Sequence, residues 1–397
     1  MLRRSQSGFE ICRRLIRKRR TPDEASSSIL EEGTTFSDVH NVILNPTTKL
    51  PYPEKQLREH LEKTSTDLLR ERNKQKYGGK KKLSSEIDFS HIPIVEHVVL
   101  LFPGQGAQFV GMGKKLMEIA AAKAIFDEAS EVLGYDMLKL CLDGPKDKIE
   151  QTLYCQPAVV TSSVAAFEAL KSQDDSIEEN LTDTAGFSVG EYSAMVAGGI
   201  ISFSDAIKIV KTRAEAMSEC SKLVKSGMVT VRVKGSSRIE KAINDARNVA
   251  REAGELDICE VANYLYCGTR VIGASETCLR FLEQNQEKYN IQVLKKITTV
   301  EKVMQALYQA DIQRAVCNVY SNYTGHILPA KKAEIRGALS KQVNNPVKWE
   351  QIQQLLFRKH ENEKFPRFYE VGPGRQLGAM LLQTSKKAYK TYQQYSC

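Results

Sequence analysis

The sequence predicts an α/β fold, in which a large domain built on a parallel sheet carries a smaller inserted domain, and three observations lead there. First, His97-Val98-Val99-Leu100-Leu101-Phe102 is a nearly continuous apolar run of strand length, ended by Pro103-Gly104. A strand with no polar alternation suits a parallel sheet buried on both faces. Second, segments of helical spacing follow over 112–133, 158–170, 191–196 and 207–217, with a short strand over 184–187 between them. Third, the pattern changes near Gly227 and reads strand, helix, strand, strand, helix, strand over 228–296.

The individual elements follow from local chemistry. The helix over 158–170 is opened by Gln156-Pro157, with proline near a first turn. Met228-Val229-Thr230-Val231-Arg232-Val233 alternates like a half-buried strand. A helix over 239–253, strands over 258–264 and 269–274 around Cys267-Gly268, a helix over 276–288 and a strand over 291–296 complete a ferredoxin-like unit. The α/β pattern then resumes with a helix over 301–310 and strands over 316–321 and 368–371. The expected division is a leader over 1–24, a partly helical linker over 25–94, a large domain over 95–225 and 300–390, and a small domain over 226–299.

Composition narrows the function classes. Hydrophobic residues are 42% and charged residues 26% of 397, ordinary for a globular protein. No apolar run approaches the roughly 18 residues that span a bilayer. The net charge of +9 is misleading, because residues 1–20 carry +7 of it and leave +2 for the rest. The body therefore offers no polyanion-binding signal, and no nucleic-acid partner is expected. A leader rich in Arg and poor in acid, with Leu15 and Ile16 interleaved, reads as a mitochondrial transit peptide. Nine cysteines without a CxxC pair give neither a disulfide framework nor a metal site.

The chemistry concentrates at Gly186-Phe187-Ser188-Val189-Gly190, a G-x-S-x-G turn between a strand and a helix. The serine sits on a sharp turn in a strained backbone, and glycines two residues away on each side relieve clashes. The Val189 amide then lies at a helix N-terminus, where it can donate to a developing oxyanion. A second turn, Pro103-Gly104-Gln105-Gly106-Ala107-Gln108, follows the first strand and opens at the carboxyl edge of the sheet, so Gln105 can offer a second amide. It is not a dinucleotide loop, since Phe109 stands where G-x-G-x-x-G needs its last glycine.

These residues resemble the malonyl-CoA–acyl carrier protein transacylase family. The likeness runs through Leu101 to Gln108 with Gly111-Met112-Gly113, then Leu133-Gly134-Tyr135-Asp136 and Gln156-Pro157-Ala158. It continues through Gly186 to Tyr192, Arg213-Ala214-Glu215-Ala216-Met217, Asn345-Pro346-Val347-Lys348-Trp349 and Glu370-Val371-Gly372-Pro373-Gly374. Phe187 stands where many bacterial members have His and is similar to the animal mitochondrial members. The resemblance implies a hydrolase-like parallel-sheet large domain with an inserted ferredoxin-like small domain. It implies that Ser188 takes malonyl from malonyl-CoA and passes it to acyl carrier protein, with Gln105 and Val189 as oxyanion donors. It also implies that Arg213 holds the free carboxylate, that Gln156 and Met217 shape the pocket, and that the Gln342 carbonyl orients the base. Arg213 and Met217, four apart on a helix, can face one pocket. A mitochondrial matrix enzyme acting as a monomer, with no cofactor and no metal, is the expectation.

One part is missing from the pattern. The family places its catalytic His in a Gly-x-x-His segment after the small domain's last strand. Here Leu294-Lys295-Lys296-Ile297-Thr298-Thr299-Val300-Glu301 runs from strand to helix with almost no connection, and none of the six histidines lies between Ser188 and Gly325. His326 follows a strand and is the nearest substitute. The gap leaves three readings: a form lacking one segment, a distant histidine as base, or a non-catalytic protein that keeps carrier-protein or coenzyme A binding. An α/β-hydrolase esterase rests on G-x-S-x-G alone; the 103–108 turn, Arg213 and the inserted domain argue against it.

Overall fold

The computed structural model describes residues 86–223, 226–266, 268–297, 309–343 and 345–397. The leader, most of the linker and most of the helix expected over 301–310 lie outside these residues. Strand β1 (Val98–Phe102) is buried along its whole length. Helix α1 (Ala120–Leu133) follows a short 3-10 turn at Lys114–Leu116, so the single helix expected over 112–133 is a correction. Ile119 is extended, with φ −102° and ψ 111°, and cannot carry a helix through itself. Helix α2 (Thr152–Gln173) begins before Pro157 rather than at it. The proline removes one i→i−4 bond from a helix that is buried on nearly all sides, and packing carries the helix through.

Strand β2 (Leu181–Gly186) leads through residues 187–189 into α3 (Gly190–Ala197), and α4 (Phe203–Leu223) is longer than expected. Strand β3 (Ser226–Val233), α5 (Ile239–Glu252), β4 (Cys259–Tyr266), β5 (Thr269–Ser275), α6 (Glu276–Gln284) and β6 (Ile291–Ile297) reproduce the expected order. The chain then forms β7 (Asn318–Tyr320), α7 (Lys332–Gln342), β8 (Val347–Lys348), α8 (Trp349–Phe357), β9 (Arg367–Val371), α9 (Gln376–Thr384) and β10 (Tyr392–Tyr395). β7 is shorter than the strand expected over 316–321, because the Val316 N–H bonds the Gly198 carbonyl outside the sheet.

The larger sheet has the order β10-β9-β1-β2-β7, and every pairing in it is parallel. Alternate residues of β1 point to opposite faces and both faces are buried. Val98, Leu100 and Phe102 join the core under α1 to α4, while Val99 and Leu101 join the one under α8 and α9. This explains why β1 reads as an unbroken apolar run. Its edge strand β10 lies beyond the boundary expected at residue 390.

The smaller sheet has the order β6-β3-β5-β4-β8. Its first four strands give the ferredoxin-like arrangement. Val229, Val231 and Val233 face α5 and α6, as their alternation predicts. The fifth strand, β8, comes from the segment expected in the large domain and pairs parallel to β4 at Asn263 and Tyr264.

One buried charge braces the parallel sheet. Asp183 of β2 is fully buried; it accepts from Thr182 Oγ1 at 2.8 Å, Tyr320 OH at 3.0 Å and Lys359 Nζ at 2.5 Å. Removing one partner of such a pair leaves an uncompensated buried charge. Lys359→Ala is therefore expected to lower unfolding stability by about 3 kcal/mol. A denaturant midpoint unchanged from wild type would contradict this.

Candidate active site

The carboxyl ends of three neighbouring parallel strands meet at one place, and each contributes a turn. Ser188 follows β2, the 103–108 loop follows β1, and Ser321-Asn322 follows β7. This edge is where open α/β sheets bind ligands. The Phe187 N–H bonds the Phe102 carbonyl at 2.9 Å, carrying the ladder one step past the strand. The Phe187 ring then packs edge-on to Trp349, with centroids 5.7 Å apart.

Ser188 has φ 53°, a left-handed conformation that a non-glycine residue holds only under constraint, at about 1–3 kcal/mol. The flanking glycines are required by close approach. A Cβ on Gly186 would sit 1.9 Å from the Gly190 carbonyl oxygen, and one on Gly190 would sit 2.4 Å from that of Phe102. The peptide around Ser188 is held from both sides. Its N–H donates to Asn322 Oδ1 at 2.6 Å, and its carbonyl accepts from Gln342 Nε2 at 2.8 Å. Asn322 Nδ2 also donates to the Gly186 carbonyl at 2.7 Å.

Helices α2 and α4 bring the remaining expected residues to this turn. Arg213, only 4% exposed, donates from Nη2 to Ser188 Oγ at 3.2 Å and from Nη1 to Gln156 Oε1 at 2.5 Å. Gln156 Nε2 contacts Met217 Sδ at 3.1 Å and donates to Gln105 Oε1 at 3.3 Å. Gln105 Nε2 donates in turn to Thr152 Oγ1 at 3.1 Å. Ser188, Arg213, Gln156, Met217 and Gln105 thus form one connected group. Among the described residues, the main-chain amides of Val189 and Gln105 donate to no protein acceptor, so both remain available to an oxyanion.

Glu191 is buried completely beneath this group. Its Oε2 accepts from the Asn322 N–H at 3.2 Å and from Gln342 Nε2 at 3.1 Å. Burial pushes its carboxyl up from 4.5 to about 8, against the opposing pull of those bonds and of the Arg213 charge. The folded state therefore keeps a proton that the unfolded chain has lost, so stability falls as pH rises from 4.5 through about 8. Glu191→Gln is expected to remove that slope. Melting curves at pH 5 and pH 8 check this, and an equal pH dependence in both proteins would contradict it.

Three partners went unseen in the sequence: Glu191, Asn322 and the side chain of Gln342. Asn322 carried a usable signal, because it follows a strand of the parallel sheet. Glu191 carried another, since it is the lone charge in Gly-Glu-Tyr-Ser-Ala-Met-Val-Ala. For Gln342 the expectation concerned its main-chain carbonyl; the structure shows its side chain bracing Ser188. His326 donates its main-chain N–H to Thr324 Oγ1, and its carbonyl accepts from Ser321. Among the described residues, the Ser188 hydroxyl has Arg213 as its partner and no histidine. No group of His, Cys, Asp and Glu among them could hold a metal ion, and no helix is long and apolar enough to cross a membrane.

A serine on a strained turn, free amides beside it and a buried guanidinium at its hydroxyl are the parts of acyl transfer, and residues 99–253 match the acyl transferase domain family. The chain is an acyltransferase. It is 39% identical over 307 residues to the human mitochondrial malonyl-CoA-acyl carrier protein transacylase, covering 74% of this chain and 78% of that protein. It is 31% identical to the malonyl CoA-acyl carrier protein transacylase of Bacillus subtilis strain 168, covering 73% and 91%. The solved malonyl CoA-acyl carrier protein transacylase of Clostridium perfringens superposes with TM-score 0.62 at 27% identity, over 75% of this chain and 92% of that one. The chain belongs to the malonyl-CoA–acyl carrier protein transacylase family.

Proposed function

We propose that this protein transfers malonyl from malonyl-CoA to acyl carrier protein through a malonyl ester on Ser188, in the mitochondrial matrix. The observation that carries the reading is the Arg213 guanidinium 3.2 Å from the Ser188 hydroxyl. A cation placed there selects an acyl group with a free carboxylate, and a guanidinium pairs with carboxylate through two parallel bonds. The thioester carbonyl then lies against Ser188. Its oxygen, charged in the tetrahedral intermediate, takes the Val189 and Gln105 amides. Coenzyme A leaves as thiol, and the carrier-protein thiol attacks the serine ester in a second pass through the same intermediate. Gln156 fixes the Arg213 fork, and Met217 lines the pocket. The reaction needs no cofactor and no metal, and a monomer suffices. The mitochondrial names of the relatives and the basic leader support the location.

A second reading, a binding protein that keeps carrier-protein and coenzyme A contacts without turnover, is favoured by the lack of a histidine partner for Ser188 among the described residues. Loss of one triad member leaves residual catalysis from the oxyanion hole and binding. The first reading therefore requires measurable transfer, slower than in relatives with the His segment. Steady-state transfer from malonyl-CoA to holo carrier protein separates the two; a rate equal to the uncatalysed background would refute the first.

A further inference from the structure

We propose that Glu191 is the positioning residue for the Ser188 nucleophile, one carboxyl oxygen anchoring both arms that hold the serine peptide. This rests on the reading of Ser188 as the acylated group. The first arm is Asn322. Its main-chain N–H bonds Glu191 Oε2 at 3.2 Å, while its side chain takes the Ser188 N–H at 2.6 Å and the Gly186 carbonyl at 2.7 Å. The second arm is Gln342, whose Nε2 reaches Glu191 Oε2 at 3.1 Å and the Ser188 carbonyl at 2.8 Å. The arms come from the loop after β7 and from the end of α7, so two separate parts of the chain converge on one oxygen of a third, α3.

A plainer account would make Glu191 an ordinary acidic residue in a helix first turn, stabilised by the helix dipole. Its bonds argue otherwise. Oε2 is occupied by two N–H groups from outside α3, and both belong to residues that grip Ser188. The side chain is also fully buried, where a carboxyl is expensive to hold and an apolar residue of similar size fills the same volume. Ser188 keeps φ 53° only while its surroundings over-determine it. Without the anchor, Asn322 and Gln342 lose the fixed point from which they work, and the hydroxyl leaves its line with Arg213 and the free amides. Misplacement of a reacting group by about 1 Å is worth about a hundredfold in rate.

Full-length Glu191→Ala and Glu191→Gln test this with two readouts. The first is hydrogen exchange of the Ser188 amide, which requires no turnover. The second is the rate of malonyl loading on Ser188 across a range of malonyl-CoA concentrations. In Glu191→Ala, the amide is expected to exchange at least about tenfold faster, and saturated loading to slow about a hundredfold with the half-saturating concentration nearly unchanged. Glu191→Gln keeps a carbonyl oxygen for both N–H groups and is expected to stay within a few-fold of wild type in both readouts. Native exchange and loading in Glu191→Ala would overturn the proposal, as would a Gln variant as damaged as Ala. If wild type does not load malonyl, the acyl-transfer reading fails, and amide exchange alone still decides the positioning role. If Glu191→Ala does not fold, Gln342→Met cuts one arm and leaves the carboxyl in place; unchanged loading at saturation in that variant would then sink the proposal.

Discussion

Replacing Ser188 with Ala is expected to abolish the covalent malonyl adduct completely. The adduct is a sharper readout than rate. Residues that act as a unit are non-additive, and among the described residues no histidine bonds Ser188, so loss of the serine moves turnover less than it would in an intact triad. The bond itself is all or none. Every free thiol among the described residues is buried. The thiol of Cys155, next to Gln156 in the chain, is fully buried and pushed up to about 12 by that burial, so it stays protonated and unreactive at neutral pH. The fold should survive, because Ala removes only a hydroxyl; the strained turn loses its function and keeps its main-chain braces. Transfer to carrier protein is expected to fall to the residual level that binding and the oxyanion hole sustain without the serine. An adduct of undiminished yield in Ser188→Ala would place the chemistry on a different residue.

Replacing Arg213 with Ala is expected to reverse the choice of acyl donor. Truncating one member of a buried, hydrogen-bonded charge pair costs about 2–5 kcal/mol, which corresponds to roughly 30-fold to several thousandfold weaker use of malonyl-CoA at low concentration. Acetyl-CoA has no free carboxylate and needs no such partner. Its use should hold steady or improve once the guanidinium no longer occupies the space at Ser188 Oγ. Arg213→Lys is expected to fail nearly as badly. An ammonium is a single point charge and cannot span Gln156 Oε1 and a substrate carboxylate as the planar fork does. Kinetics with both donors check this. Equal losses for malonyl-CoA and acetyl-CoA would show that Arg213 supports the pocket without reading the carboxylate.

Much of this was legible in the sequence because it depends on local pattern. The unbroken apolar run of β1 announced a strand buried on both faces, and the alternation at Val229, Val231 and Val233 announced one with a single buried face. The G-x-S-x-G turn showed itself because its glycines are demanded by contacts of 1.9 and 2.4 Å with main-chain atoms. The parts that escaped depend on long-range pairing. β8 is two residues long and joins the smaller sheet only through β4, far away in sequence. Asn322 and Gln342 lie 134 and 154 residues from Ser188, so their grip on it follows from topology. Helix α2 was misread at its start because proline was given the role of an opener, whereas burial on all sides held a helix through it.

The central claim is that Ser188 carries malonyl between two thiols. Its most direct test is mass spectrometry of the wild-type protein after brief mixing with malonyl-CoA, followed by a chase with holo carrier protein. The expected result is one malonyl group per chain, on the peptide containing Ser188, that moves to the carrier protein during the chase. Absence of an adduct, an adduct on another peptide, or one that the carrier protein cannot discharge would contradict the account.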